Sequence, residues 1–145
     1  MARFVQGLYT PKHPEKYIGD ITKIRYMSSW ELSMHSFLDN NSNILRWSSE
    51  GFRIKYIKPT DHKVHHYLPD YYIEYIDKTG NLRKVVAEVK PHKQTVKSRS
   101  KNPQTKLYED VTRAINLAKW EAASQFCRLN GFEFQIITEK HLYGK

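Results

Sequence analysis

The sequence predicts an α/β (α+β) domain in which α-helices flank one central mixed β-sheet. Three observations predict it. Two stretches carry apolar residues at helical spacing between capping signals. The chain between them alternates with period two and is broken by turn residues. A last strand-like run follows the second helix, so the order is helix, hairpins, helix, strand. The chain has 145 residues, enough for a single domain over 1–145 that buries a core without disulfide or metal staples.

Met1 to Tyr26 carries Pro11, Pro14 and Gly19 and no clear period. It reads as a loosely structured N-terminal arm over 1–26, with at most one short strand, ahead of a core over 27–139. Ser28 or Ser29 suits an N-cap, since a hydroxyl accepts from a free N–H of the first turn. Trp30, Met34, Phe37 and Leu38 then recur at helical spacing, and Asp39-Asn40-Asn41 is turn chemistry that ends the helix. Ile44 to Trp47 and Phe52 to Ile57 read as strands on either side of a turn at Ser49-Glu50-Gly51. The next strand runs from about Tyr67 to Ile76, with Pro69 placing its start at an edge or a bulge. Asp77 to Asn81 is a hairpin loop, and Leu82 to Lys90 returns as the partner strand. Asn102-Pro103 opens the second helix. Leu107, Val111, Ala114, Ala118, Ala122 and Phe126 mark one face of it, and Gly131 suits its C-cap. Lys119 and Gln125 lie on this helix with no role that spacing decides. Phe132 to Thr138 is the final strand.

Composition limits the function. Lys plus Arg is 24 and Asp plus Glu is 15, a formal net charge of +9. Aromatic residues make up 13% of the chain, which argues against disorder because such side chains need burial. The single cysteine, Cys127, excludes an internal disulfide framework and a Cys-rich zinc module, and fits a reducing compartment. No run approaches the ~18 apolar residues of a membrane span, and Met1 to Thr10 lacks an apolar core of signal-peptide length. The expectation is a soluble cytoplasmic protein, and the charge makes nucleic acid the default partner.

The chemistry-bearing feature is a set of acids with one lysine. Leu68-Pro69-Asp70 enters one strand, and Val85-Val86-Ala87-Glu88-Val89-Lys90 ends the next. Residues two apart on a strand share a face, so Glu88 and Lys90 point one way and Val85, Ala87 and Val89 the other. A regular hairpin register sets Asp70 beside Glu88. Adjacent carboxylates repel unless one is protonated or both share a cation. Mg²⁺ suits that role because it takes oxygen ligands and keeps several waters. Lys90 can stabilise charge on a phosphate or orient a water nucleophile. Together these groups suit metal-assisted phosphodiester hydrolysis. The stretch from Pro91 to Lys106 contains Lys93, Lys97, Arg99, Lys101 and Lys106 and no acid, so it is a candidate contact for the sugar-phosphate backbone.

Pro69-Asp70 followed by Glu88-Val89-Lys90 resembles the signature of the PD-(D/E)xK nuclease superfamily. Glu31, on a helix that precedes the sheet, matches the further acid that many members carry. The wider pattern Ser28-Ser29-Trp30-Glu31, Trp47, Tyr56, His66-Tyr67-Leu68-Pro69-Asp70-Tyr71 and Glu88-Val89-Lys90-Pro91 resembles transposon-encoded endonuclease subunits. It resembles the small head-completion nucleases of T-even-type tailed phages more closely still. The resemblance covers roughly residues 16 to 140. It implies a restriction-endonuclease-like core and Mg²⁺-dependent cleavage of double-stranded DNA, with Mn²⁺ able to substitute. It implies Asp70 and Glu88 as metal ligands, the Val89 carbonyl as a third, Lys90 as the catalytic lysine, and Glu31 as holder of a metal water or a second metal. It also implies processing of packaged DNA ends in an infected host cell, with capsid or portal components as partners. Nothing marks a specificity domain, and no heptad or apolar stripe points to an oligomer.

Simpler readings stand beside these. Asp70 and Glu88 can belong to a structural ion-pair cluster, and Glu31 can simply complement the helix dipole. His62, His65 and His66 suggest zinc, but His65 and His66 are neighbours on opposite strand faces and cannot easily bind one ion; strand packing or a DNA-facing contact suits them better. Trp30, Trp47 and Trp120 read as core anchors, and Cys127 as a small buried hydrophobe. The alternative function is a non-enzymatic basic module that binds nucleic acid or a virion component, which needs only the charge.

Overall fold

The computed structural model describes residues 6–91 and 95–138. Its centre is a four-stranded mixed sheet. The strands are β3 (Ile44–Ser49), β6 (Tyr71–Ile76), β7 (Leu82–Val89) and β8 (Glu133–Ile137), in that spatial order. β6 runs antiparallel to both β3 and β7, and β8 runs parallel to β7. The parallel pair needs a crossover, which the 28-residue helix α2 (Pro103–Asn130) supplies. Helix α1 (Ser29–Asn40) packs on the opposite sheet face. Among the described residues no helix is long and apolar enough to cross a membrane.

The helix limits follow the expected chemistry. The Ser28 hydroxyl accepts from the Glu31 N–H at 3.2 Å and caps α1. The Asn102 side chain accepts from the N–H groups of Gln104 and Thr105, with Pro103 at the first helical position. Gly131 closes α2 with φ of 73°, a left-handed conformation that suits glycine.

Strand parity sorts the core. Tyr71, Ile73, Val85 and Ala87 face α1 and gather Ile24, Met34, Leu38 and Trp47 into one cluster. Tyr72 and Val86 face the other way and meet Cys127 of α2. Trp120 and Ala123, two turns and one turn earlier, pack on a separate hairpin made of β4 (Ile54–Ile57) and β5 (Val64–Tyr67).

Four expectations change. Tyr67 to Ile76 is not one strand: Tyr67 ends β5, the buried Pro69 turns the chain, and β6 begins at Tyr71 in the central sheet. The strands flanking Ser49-Glu50-Gly51 join different sheets, and Glu50 has φ of 53° at the corner. On α2 the buried stripe is Asn116, Trp120, Ala123 and Cys127, while Leu107 is 65% exposed. The aliphatic count missed it because its members include an asparagine, a tryptophan and a cysteine.

The fourth change is the N-terminal arm, which is built rather than loose over its described residues. Strands β1 (Gly7–Leu8) and β2 (Arg25–Tyr26) pair antiparallel, with two single-turn 3₁₀ helices between them. Asp39, fully buried, anchors the segment by accepting from the Tyr9 hydroxyl and from the N–H groups of Lys12 and His13. The Ile18 N–H donates to the Trp47 carbonyl and begins to cover the edge of β3. Trp47 and Trp120 are buried anchors, whereas Trp30 is only partly buried.

Candidate active site at the end of β7

The register of β6 and β7 pairs Tyr71 with Ala87, so one step further Asp70 faces Glu88. The two acids arrive by different routes. Glu88 is the last buried residue of a strand covered on both faces, at 5% exposure. Asp70 follows the Pro69 turn, and its carboxylate accepts from the Val89 N–H at 2.8 Å, which clamps the entry of β6 to the end of β7. Its carbonyl accepts from the Glu50 N–H and ties the same corner to β3.

Glu88 has two partners. The buried Tyr67 hydroxyl donates to its Oε1 at 2.7 Å, and Lys90 Nζ lies 3.4 Å from its Oε2. Asp70 is less well compensated. Burial first, and the charge of Glu88 second, push its pKa up to about 7; the Val89 N–H and Lys90 oppose this without winning. Glu31 adds to the same field. The pair therefore carries negative charge that the neighbouring protein groups do not neutralise.

Glu31 approaches from α1. Its backbone N–H is capped by Ser28 while its own carboxylate reaches back to the Met27 N–H at 3.3 Å, in the manner of a capping box. The dipole role and a place near the acid pair are therefore compatible. The first turn of α1 is located by Tyr71, whose hydroxyl lies 2.8 Å from His35 Nδ1 and 3.3 Å from the Glu31 carbonyl. His35 Nε2 sits 2.8 Å from the Arg25 carbonyl, which can only accept. The proton of neutral His35 is thus on Nε2, and Nδ1 accepts from Tyr71. Burial lowers the His35 pKa and keeps the ring neutral.

The oxygens at this end form a hard donor set. Among the described residues no three His, Cys, Asp or Glu side chains converge as a ready-made metal cluster. The candidate ligands are instead two adjacent carboxylates, one of them starved of counter-charge, with the Val89 carbonyl in the same strand end. That chemistry fits a divalent cation that completes its shell with water and phosphate oxygens. His65 is elsewhere engaged, 2.8 Å from Asp61, and His66 is exposed on the β4–β5 hairpin.

The basic residues divide. Lys97, Arg99 and Lys101 are exposed in the segment before α2. Lys106 lies inside α2 and pairs with Asp110 at 3.2 Å. Lys93 lies outside the described residues. Spacing alone did not give a role to Tyr67, the hydroxyl donor to Glu88, because its contact crosses from one sheet to the other. A tyrosine two residues before Pro69 was the available signal.

Residues 41–139 match the family described as TnsA-like endonuclease N terminal. The chain belongs to this TnsA-like endonuclease family. It is also 34% identical over 142 residues to the head completion nuclease of Enterobacteria phage T4, across 94% of this chain and 92% of that protein. No solved structure matches the chain. Membership gives the mixed sheet and its helices their class, a restriction-endonuclease-like fold, and the Asp70, Glu88 and Lys90 motif its superfamily, the PD-(D/E)xK nucleases. The TnsA-like match contains all three motif residues and begins after Glu31.

Proposed function

We propose that this TnsA-like endonuclease is a metal-dependent deoxyribonuclease that hydrolyses phosphodiester bonds of double-stranded DNA and serves phage head completion by processing packaged DNA. The observation that carries the proposal is the under-compensated Asp70–Glu88 pair beside Lys90 at the end of β7. The likeness to a phage head completion nuclease supports the head-completion role; the proposed setting is the host cytoplasm or the virion, with capsid or portal components as partners.

In this reading Asp70, Glu88 and the Val89 carbonyl would hold Mg²⁺, or Mn²⁺ in its place, and Glu31 would hold one of its waters or a second ion. The ion, when bound, lowers the pKa of a coordinated water and offsets charge that develops on the phosphate. The chain's own groups do the rest. Tyr67 fixes one oxygen of Glu88, so the carboxylate meets its ligand in one orientation. The Val89 N–H does the same for Asp70. Lys90 is tethered to Glu88 and is placed to orient the attacking water or to offset charge on a non-bridging phosphate oxygen. Lys97, Arg99, Lys101 and Lys106, with Lys93, contact the DNA backbone and set its position without reading its sequence.

The test is cleavage of supercoiled and linear double-stranded DNA with Mg²⁺ or with EDTA, beside Lys90→Ala. Metal-dependent cutting that the variant loses is the expected result. Equal cutting by the variant, or DNA binding with no cutting under any metal, overturns the reading and favours a binding module.

A further inference from the structure

Lys119 stands on α2 next to the acid pair without an acid of its own. Its Nζ lies 5.8 Å from the ring centroid of Tyr56 and 5.7 Å from that of Tyr67. These two rings belong to opposite strands of the β4–β5 hairpin and form a wall beside the ammonium. Tyr67 is the same residue whose hydroxyl donates to Glu88. One tyrosine therefore holds a carboxylate at its hydroxyl and a lysine at its face.

The electrostatics of this position are unfavourable in the free protein. Burial first, and the neighbouring charge of Lys90 second, lower the Lys119 pKa; Lys58 adds to this, and Glu88 and Asp70 oppose it without winning. Among the described residues no carboxylate lies within ion-pair distance of Lys119, and the Glu88 oxygens already face Tyr67 and Lys90. Aromatic faces at this range offset only part of the cost of withdrawing the ammonium from water. A cation kept beside other cations, partly desolvated and stiffened by two rings, suits an anion that arrives from outside.

We propose that Lys119 is a DNA-phosphate contact, held by Tyr56 and Tyr67 so that its ammonium meets a backbone phosphate next to the one at the acid pair, with Lys58 extending the contact along the hairpin. The inference rests on the nuclease reading for the identity of its polyanion. It adds a backbone contact on the α2 and β4–β5 side of the site, carried by residues apart from the basic segment before α2.

The experiment is equilibrium binding of a fluorescent double-stranded oligonucleotide in EDTA over a salt series. It compares wild type, Lys119→Gln, Lys119→Arg and Lys58→Gln, each checked for an unchanged melting temperature. Lys119→Gln is expected to weaken binding roughly fivefold to tenfold and to reduce the slope of log K against log salt by about 1. Lys119→Arg should keep the wild-type slope, and Lys58→Gln should show a smaller loss in the same direction. A wild-type slope and affinity in Lys119→Gln overturn the proposal. So does equal loss in Lys119→Arg, which points to packing on the tyrosines. Because this assay needs no cleavage, its failure is distinct from failure of the nuclease reading, which is wild-type protein that never cuts with metal.

Discussion

Asp39 and Asp70 are both acids withdrawn from water, and their surroundings do opposite things to them. Asp39 is fully buried at the end of α1. Burial alone raises its pKa, but the Tyr9 hydroxyl and the N–H groups of Lys12 and His13 outweigh burial and hold it below the usual carboxylate range. Asp70 is reached by one backbone N–H and faces another carboxylate, so burial and Glu88 win and its pKa rises. Asp39 is a finished structural joint that ties the N-terminal segment to α1. Asp70 is left with unmet demand for positive charge. The contrast separates an acid that serves the fold from an acid that serves a ligand.

The largest expected effect breaks the contrast on the functional side. Asp70→Asn keeps the acceptor for the Val89 N–H and removes the charge, so DNA cleavage with Mg²⁺ should fall by about a thousandfold or more in a plasmid-nicking assay. Next comes the structural side. Asp39→Ala strands the Tyr9 hydroxyl and two N–H groups, and should cost roughly 2–4 kcal/mol of stability in urea unfolding. The surviving folded protein should still cut DNA with Mg²⁺.

A smaller effect sharpens the comparison by its sign. Asp70 binds its proton more tightly in the folded state, so its stabilising influence is full below the unfolded value near pH 4 and is lost as pH rises through about 7. Asp39 has the opposite sign: its contribution is present above about pH 4 and is lost as the pH falls through its lowered folded value. In metal-free buffer the melting temperature of Asp70→Asn should therefore exceed that of wild type by a margin that widens from pH 5 to pH 8. A constant margin over that range contradicts the assignment. The smallest effect concerns the orientation of Glu88. Tyr67→Phe removes one hydroxyl and should lower cleavage by about tenfold, with DNA affinity in EDTA unchanged.

Much of this was legible in the chain, and the limits have physical causes. Both helix starts rest on local hydrogen bonds, Ser28 to the Glu31 N–H and Asn102 to Gln104 and Thr105, so residues a few positions apart reveal them. The β6–β7 hairpin is likewise local, and its register alone sets Asp70 opposite Glu88. What the chain hid depends on distant partners. Nothing near Tyr67 says that β5 leaves the central sheet or that its hydroxyl returns to Glu88 twenty-one residues later. Nothing near Tyr9 reveals Asp39, thirty residues away. Lys119 looks like one more helix-surface lysine until the hairpin is folded against α2.

The most direct test of the central claim is a calorimetric titration of Mn²⁺ into metal-free wild type and Asp70→Asn at pH 7, in two buffers of different ionisation enthalpy. The account predicts saturable binding to wild type, with release of part of a proton as Asp70 gives up its own, and loss of both signals in the variant. Equal binding by the two proteins, or wild-type binding with no proton released, would contradict it.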